Sequence, residues 1–133
     1  MIYPNDKLKQ SWIQEGITEA AVEWAKSFAE YLAKKDNNGK TALTTSQLRK
    51  FFGEVRRIES NFSKNKNDIV MLNPILAYAV GRNNNSKIKD FAEEMSVGIS
   101  AVRLRTQSDL SDFKNFIKLF EAVVAYHKYF GGK

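Results

Sequence analysis

Four basic residues in one stretch of the chain have the spacing to grip phosphate groups. They are Arg49, Lys50, Arg56 and Arg57, which we call the basic strip. Wound as a helix at about 100° per residue, residues 44–62 place all four within an arc of roughly 120°. Glu54 projects to one side and Glu59 near the apolar stripe, so we expect neither to neutralise the strip. Arginine binds phosphate through two parallel hydrogen bonds, although solvated helix faces without any ligand also carry such residues.

A glycine lies in the middle of the basic strip. A glycine in a helix interior, such as Gly53, lowers helix stability by about 1 kcal/mol relative to alanine, so its presence calls for an explanation. The missing side chain allows close approach, either of a phosphate or of a neighbouring helix. The sequence leaves both interpretations open.

The excess positive charge of the chain lies in its middle. The net charge is +6, and residues 40–107 hold twelve Lys and Arg against six Asp and Glu, whereas the rest holds nine of each. A local cationic excess attracts nucleic acid or acidic lipid. The charge distribution favours a polyanionic partner, the alternative being a basic protein that has none.

The residue types needed for catalysis are scarce. There is no cysteine, which excludes thiolate zinc sites and cysteine nucleophiles, and one histidine cannot make an ordinary zinc site. A Ser-His-Asp triad is not excluded by composition, but no nucleophile-elbow, Walker or dinucleotide-binding pattern occurs. The histidine, His127, projects onto an apolar helix face, so we interpret it as a buried core residue. Asp109 and Asp112 suit the start of a helix. We predict no catalytic residues, no metal site and no cofactor.

The rest of the chain has the apolar periodicity of helices. Spacings of three and four predict helices over residues 18–35, 44–62, 69–82, 86–104 and 108–130, with no strand. Thr44 and Gln47 have the spacing of a capping box at the start of the second of these helices. Residues 63–68 are predicted as a polar loop, and a kink or a fresh helix start is expected at Pro74, with Asn73 as the candidate cap. The fold class is all-α, a compact single-domain bundle of about five helices over residues 1–133. Residues 1–16 form an arm or a short helix. The predicted core contains Trp24, Phe28, Phe51, Phe52, Val55, Phe91, Phe116 and Phe120.

The sequence has no membrane or export signal. No apolar run reaches 18 residues, and the first residues lack a basic segment followed by an apolar one. We therefore predict a cytoplasmic protein that does not contact a membrane.

Three stretches resemble the small subunit of the type III-A CRISPR effector, the Csm complex. They are residues 44–51 (TTSQLRKF), 72–82 (LNPILAYAVGR) and 113–132 (FKNF, then EAVVAYHKYFGG). The resemblance extends from about Ile17 to the C-terminus, in the order and spacing of that family. The first 16 residues match nothing in it.

The resemblance implies a non-catalytic, all-helical subunit of a ribonucleoprotein. Copies of such a subunit line the complex beside the other Csm subunits, which hold the guide RNA and cleave the target. They contact the target RNA paired to the guide RNA through basic side chains, without sequence preference. At positions that match the family stretches, the implied RNA-binding residues are Arg49, Lys50, Arg82 and Lys128. Arg56 and Arg57 come from the helix geometry alone.

Two functions of other classes remain as alternatives. A helical protein–protein adaptor without nucleic-acid affinity would use the apolar face of the last helix. A DNA-binding domain would need a tight turn into a recognition helix, for which the segments at Asp36 and Ser63 are candidates. The side chains lack a clear base-reading set for the second alternative.

Overall fold

The segments with apolar periodicity are helices in the computed structural model, which describes residues 2–35 and 38–132. Within these ranges there are seven α-helices and one 3-10 helix, and the only β-structure is an isolated bridge between Lys35 and Thr41. The elements are α1 (Gln10–Gln14), α2 (Glu19–Ala33), α3 (Thr45–Ser60), α4 (Phe62–Asn65), the 3-10 helix (Lys66–Met71), α5 (Leu72–Asn83), α6 (Ser86–Ser100) and α7 (Asp109–Tyr129). The predicted all-α fold is confirmed, and its five long helices are α2, α3, α5, α6 and α7.

Helix α7 is the centre of the bundle. It packs against α1, α2, α3 and α6, and its Phe113, Phe116 and Phe120 are at most 1% exposed. On α2, the rings of Trp24 and Phe28 stack with centroids 4.9 Å apart. All of the predicted core residues except Phe52 are buried. The apolar face of α7 is therefore covered by its own chain.

Phe52 is only half-buried, so its placement in the core was wrong. It lies at the edge of the apolar stripe of α3, where one neighbour is the ring of Phe120 with centroids 5.2 Å apart. The guanidinium of Arg56 lies 5.8 Å from the centroid of the Phe52 ring. The ring thus forms the border between the core and the basic strip.

A glycine allows α6 and α7 to pack closely. Helix α6 continues through Gly98, as the unbroken apolar phase predicts. A Cβ added at Gly98 would lie 2.8 Å from the ring of Phe116 on α7. The glycine is a packing requirement and does not interrupt the helix.

The N-terminal segment is part of the bundle. Tyr3, Leu8 and Trp12 are buried against α2, α6 and α7. The indole N–H of Trp24 donates to the Asp6 carbonyl at 2.9 Å, which fixes the segment to α2. The helical part of the segment is α1.

Two local predictions between residues 63 and 74 were wrong. The expected loop at 63–68 is helical, since Phe62 packs on Phe113 and Ile69 is buried, which fixes both ends of the segment. Ser63 therefore does not lie in a turn between long helices, and Asp36 lies outside the described residues. Asn73 does not cap α5, because the 3-10 helix runs into it and leaves Pro74 in the first turn. Helix α5 ends at Asn83, and the next residue, Asn84, has a left-handed φ of 47°.

The connections leave an opening beside α3. Helix α3 packs against α7, whereas α5 packs against α6. Side chains from α3, α5 and α6 therefore line a groove whose volume is about 390 Å³. We call it the α3–α5 groove.

Candidate nucleic-acid interface

The basic strip is presented by a helix with a well-defined start. The Thr44 hydroxyl accepts a hydrogen bond from the Gln47 backbone N–H at 3.1 Å, and the Gln47 side-chain oxygen accepts from the Thr44 N–H at 2.8 Å. This is the predicted capping box, and it satisfies two backbone N–H groups that would otherwise lack partners. Arg49 and Lys50 follow one turn later, and both are exposed. The cap therefore fixes the positions of Arg49 and Lys50 relative to the start of α3.

The C-terminal half of the basic strip is neutralised, contrary to the sequence prediction. Arg56 forms an ion pair with Glu59 at 3.2 Å. Arg57 pairs with Glu54 at 3.3 Å and with Asp68 at 3.2 Å. The helical wheel missed these contacts because long side chains reach i−3 and i+3 neighbours, and because Asp68 comes from the segment predicted as a loop.

The N-terminal half of the strip keeps its charge. Among the described residues, neither Arg49 nor Lys50 has an acidic partner within ion-pair distance, and the same is true of Arg82 at the end of α5. All three side chains are exposed. These three residues, which we call the open cations, can take an external anion without first losing an internal one.

Gly53 faces open space. A Cβ added there would have no heavy atom within 4 Å. Within residues 2–35 and 38–132, no neighbouring helix therefore explains this glycine. The other interpretation, close approach of a phosphate, stays a prediction.

The α3–α5 groove brings Lys50 and Arg82 together. Both side chains line it, together with the exposed ring of Tyr78 and the apolar side chains of Phe51 and Ile75. Arg49 lies beside Lys50 in the chain but does not line the groove. The structure thus joins two sequence-predicted residues from separate helices at one site.

Lys128 is not among the residues that line this groove. It is exposed on the last turn of α7, and its neighbour His127 contacts Thr45 at the first residue of α3. Lys128 therefore belongs to the end of the bundle where α3 begins. The structure does not bring it to the groove with Lys50 and Arg82.

His127 is a core residue, as predicted. It is fully buried, with Nε2 at 2.9 Å from the Leu43 carbonyl and Nδ1 at 3.2 Å from the Thr45 hydroxyl. A carbonyl only accepts, so Nε2 carries the proton and the hydroxyl donates to Nδ1. Burial lowers the pKa of His127, the Leu43 contact opposes this, and the charge of Lys128 adds to it. The ring is therefore held in the core with both nitrogens bonded.

The buried carboxylates serve the fold. Asp112 is fully buried and accepts from Arg103 through both oxygens, at 2.9 and 3.0 Å. Burial alone would raise the pKa of Asp112, yet the hydrogen bonds and charge of Arg103 lower it overall. Asp109 pairs with Lys66 at 3.4 Å. The described part of the chain contains no His, Asp and Glu cluster that could hold a metal ion.

Sequence reasoning missed the groove, although α5 carries a signal for it. Leu72 and Leu76 are its buried residues, whereas Ile75 and Tyr78 are exposed. Ile75 and Tyr78 lie three residues apart, so they form an exposed apolar face of α5 beside the buried one. Both of these side chains line the groove. None of the helices in the described ranges is long and apolar enough to cross a membrane.

Comparisons with known proteins agree with the resemblance found in the sequence. No solved structure matches the chain. A Streptococcus thermophilus protein described as "CRISPR system Cms protein Csm2" is 34% identical over 107 residues, which cover 77% of this chain and 84% of that protein. The family model for Csm2 of type III-A systems matches residues 18–133. The chain therefore belongs to the Csm2 family, the small subunits of type III-A CRISPR systems.

Proposed function

We propose that this chain is a non-catalytic RNA-binding subunit of a Csm ribonucleoprotein. In this proposal it lies beside the other Csm subunits and copies of itself, and it holds the backbone of target RNA paired to guide RNA. A cytoplasmic location is part of the proposal. Membership of the Csm2 family supplies the context, and the open cations carry the argument for RNA.

The observation that supports RNA binding is the set of open cations. Arg49, Lys50 and Arg82 are exposed and have no acidic partner among the described residues. Fixed cations on a rigid helix neutralise phosphates and release counterions, which drives binding to nucleic acid. Gly53 leaves the adjacent surface clear, so a sugar–phosphate backbone can approach α3 closely.

The polar side chains beside the open cations favour backbone contacts over base reading. Gln47 is engaged by Thr44 and donates to the Asn83 side chain at 3.3 Å. Asn83 in turn donates to the Ala79 carbonyl at 2.7 Å. Amides that are already bonded are poor readers of base edges. Sequence identity can be left to pairing with a guide RNA, so the protein need only hold the backbone.

The absence of a catalytic role rests on the arrangement of its acid–base residues. His127 is buried and bonded on both ring nitrogens, and Asp112 is occupied by Arg103. Neither is placed to reach a phosphodiester. We expect no RNA, DNA or nucleotide turnover by the pure protein, with or without divalent metal, and activity that follows the protein across a gel-filtration peak would contradict this.

The salt dependence of binding tests the proposal. We expect the wild type to bind single-stranded RNA weakly and without sequence preference. Replacing Arg49, Lys50 and Arg82 by glutamine should flatten the slope of log affinity against log salt by about 2 units, since each phosphate contact contributes about 0.7. The matched control replaces Lys26, Lys114 and Lys118, which are exposed on α2 and α7.

Equal losses in the two triple variants would mean that net charge alone matters. Unchanged RNA binding in the open-cation variant, alone and inside a reconstituted effector, would favour the adaptor alternative. That alternative was based on the apolar face of α7, which the bundle itself covers. Co-purification tests the assembly: tagged protein from its host should bring guide RNA and the larger subunits.

A further inference from the structure

We infer that the α3–α5 groove receives one unpaired nucleobase of the bound RNA, while Lys50 and Arg82 hold the phosphates on either side of it. This rests on the proposed function and names the part of the RNA that the groove binds. The groove is the place where two open cations from separate helices meet.

The interior of the groove suits a flat apolar group. Its floor includes Phe51, Leu76 and Phe91, which are buried core residues, and its wall includes the half-buried Ala79 and Ala92. The volume of about 390 Å³ is at the low end of the range of about 300–1,000 Å³ for ligand pockets. Such a space is large enough for one nucleobase.

The rim of the groove suits the phosphates attached to such a base. Lys50 and Arg82 line it without acidic partners in the described ranges, whereas Glu54, the acid at the rim, is held by Arg57 at 3.3 Å. The ring of Tyr78 is 68% exposed at the same rim. An apolar interior with cations and an aromatic ring at its mouth complements a nucleotide, whose base is apolar on its faces and whose phosphates are anionic.

The groove lacks the means to distinguish one base from another. The amides of Gln47 and Asn83 at its rim bond to each other at 3.3 Å and to their own helices. Bases within a duplex are stacked and inaccessible, so only an unpaired base can enter. The inference therefore predicts a preference for RNA with an unpaired nucleotide, whatever its base.

The test uses the full chain and three RNA duplexes of about 20 base pairs. One is fully paired, one has a single unpaired adenosine in mid-strand, and one has an abasic ribose at that position. We expect the duplex with the unpaired base to bind about tenfold more tightly than the other two, the scale of one base stacked on an aromatic ring. The abasic duplex separates base entry from the altered shape of the backbone.

Two variants of the groove keep the test independent of folding. Ala79→Phe fills the groove and leaves the cations in place, and Tyr78→Ala removes the exposed ring without disturbing the core. Both should lower the preference to within about twofold and keep the salt slope. Tyr78→Phe should retain the preference. Tyr129→Ala, which removes a ring that is 75% exposed away from the groove, should also retain it.

The outcomes separate this inference from the proposed function. RNA binding without any preference for the unpaired base would overturn the inference and leave the proposed function standing. A preference that survives both Ala79→Phe and Tyr78→Ala would overturn it too. So would groove variants that change sedimentation of the free protein instead of RNA preference, since the groove would then contact protein. No binding to any of the three duplexes would overturn both.

Discussion

Arginine is used in two opposite ways in this bundle. In the connection between α6 and α7, Arg103 holds both oxygens of the fully buried Asp112, and it donates to the Gln14 carbonyl at 3.2 Å. On α3, Arg49 lies exposed with no acidic partner in the described ranges. The first arginine stabilises the fold by pairing with a buried carboxylate, and the second is available to a ligand.

The basic strip repeats this contrast over two turns of one helix. Its N-terminal half, Arg49 and Lys50, is open, whereas in its C-terminal half Arg56 and Arg57 are paired with acids. The pairs are exposed, and such pairs contribute only about 0–1 kcal/mol, so a phosphate can compete for them. A count of positive residues therefore overstates the charge that a ligand meets.

The largest effect should come from removing the buried carboxylate that Arg103 holds. Asp112→Ala leaves Arg103 without its carboxylate and removes the acceptor of its backbone N–H, bonded at 3.0 Å. We expect the free energy of unfolding in urea to fall by about 3 kcal/mol, since the carboxylate is buried and the arginine is partly solvated. The RNA salt slope should not change. Glu121→Ala on the exposed side of α7 is the control, and an equal loss of stability would contradict the contrast.

The two halves of the basic strip should differ in RNA binding. Replacing Arg49 and Lys50 by glutamine should flatten the salt slope by about 1.4 units, the contribution of about two phosphate contacts on a single strand. The same change at Arg56 and Arg57 should flatten it by less than half as much, because those side chains already have acidic partners. Fluorescence anisotropy between about 50 and 200 mM salt measures both slopes. Equal slopes would mean that the ion pairs do not persist in solution.

Local sequence signals predicted much of this molecule correctly. The five long helices, the Thr44 capping box and the burial of His127 follow from periodicity and from spacing within one helix. The partners of Arg56 and Arg57 were missed because they depend on rotamers and on Asp68, whose helical segment was predicted as a loop. The groove was missed because its shape depends on how α3 and α5 pack on different helices, and the exposed Ile75 and Tyr78 of α5 were its one local signal.

Releasing Arg57 should have a smaller effect of opposite sign. Glu54→Gln combined with Asp68→Asn removes both of its acidic partners and keeps the side chains similar in size. We expect the RNA salt slope to become steeper by about 0.7, one additional phosphate contact. Glu19→Gln with Glu23→Gln removes the same charge from the exposed face of α2. If this control steepens the slope equally, the change reflects net charge and not the release of Arg57.

The smallest effect concerns two neighbouring residues of α7 that repeat the contrast. Lys128 is exposed, and Lys128→Gln should flatten the salt slope by at most about 0.7.

His127 is buried and neutral, and its pKa lies below the usual value of 6.5 because of burial. The unfolded chain therefore binds a proton that the folded chain does not, in the window between the lowered pKa and about 6.5. Stability should fall as the pH is lowered through that window.

A comparison with His127→Gln isolates this pH dependence. Glutamine can still donate to the Leu43 carbonyl but does not titrate, so the variant should be less stable at pH 7.5 yet lose less between pH 7.5 and 5.5. One proton sets an upper limit of about 1.4 kcal/mol per pH unit on the difference. Glu94 acts in the other direction, because burial raises its pKa and stability from it grows as the pH falls. Glu94 is present in both proteins, so its contribution cancels when their stabilities are compared. The free energy of unfolding in urea measures this difference. If the wild type and His127→Gln lose the same amount between pH 7.5 and 5.5, then His127 binds its proton equally well in the folded and the unfolded chain.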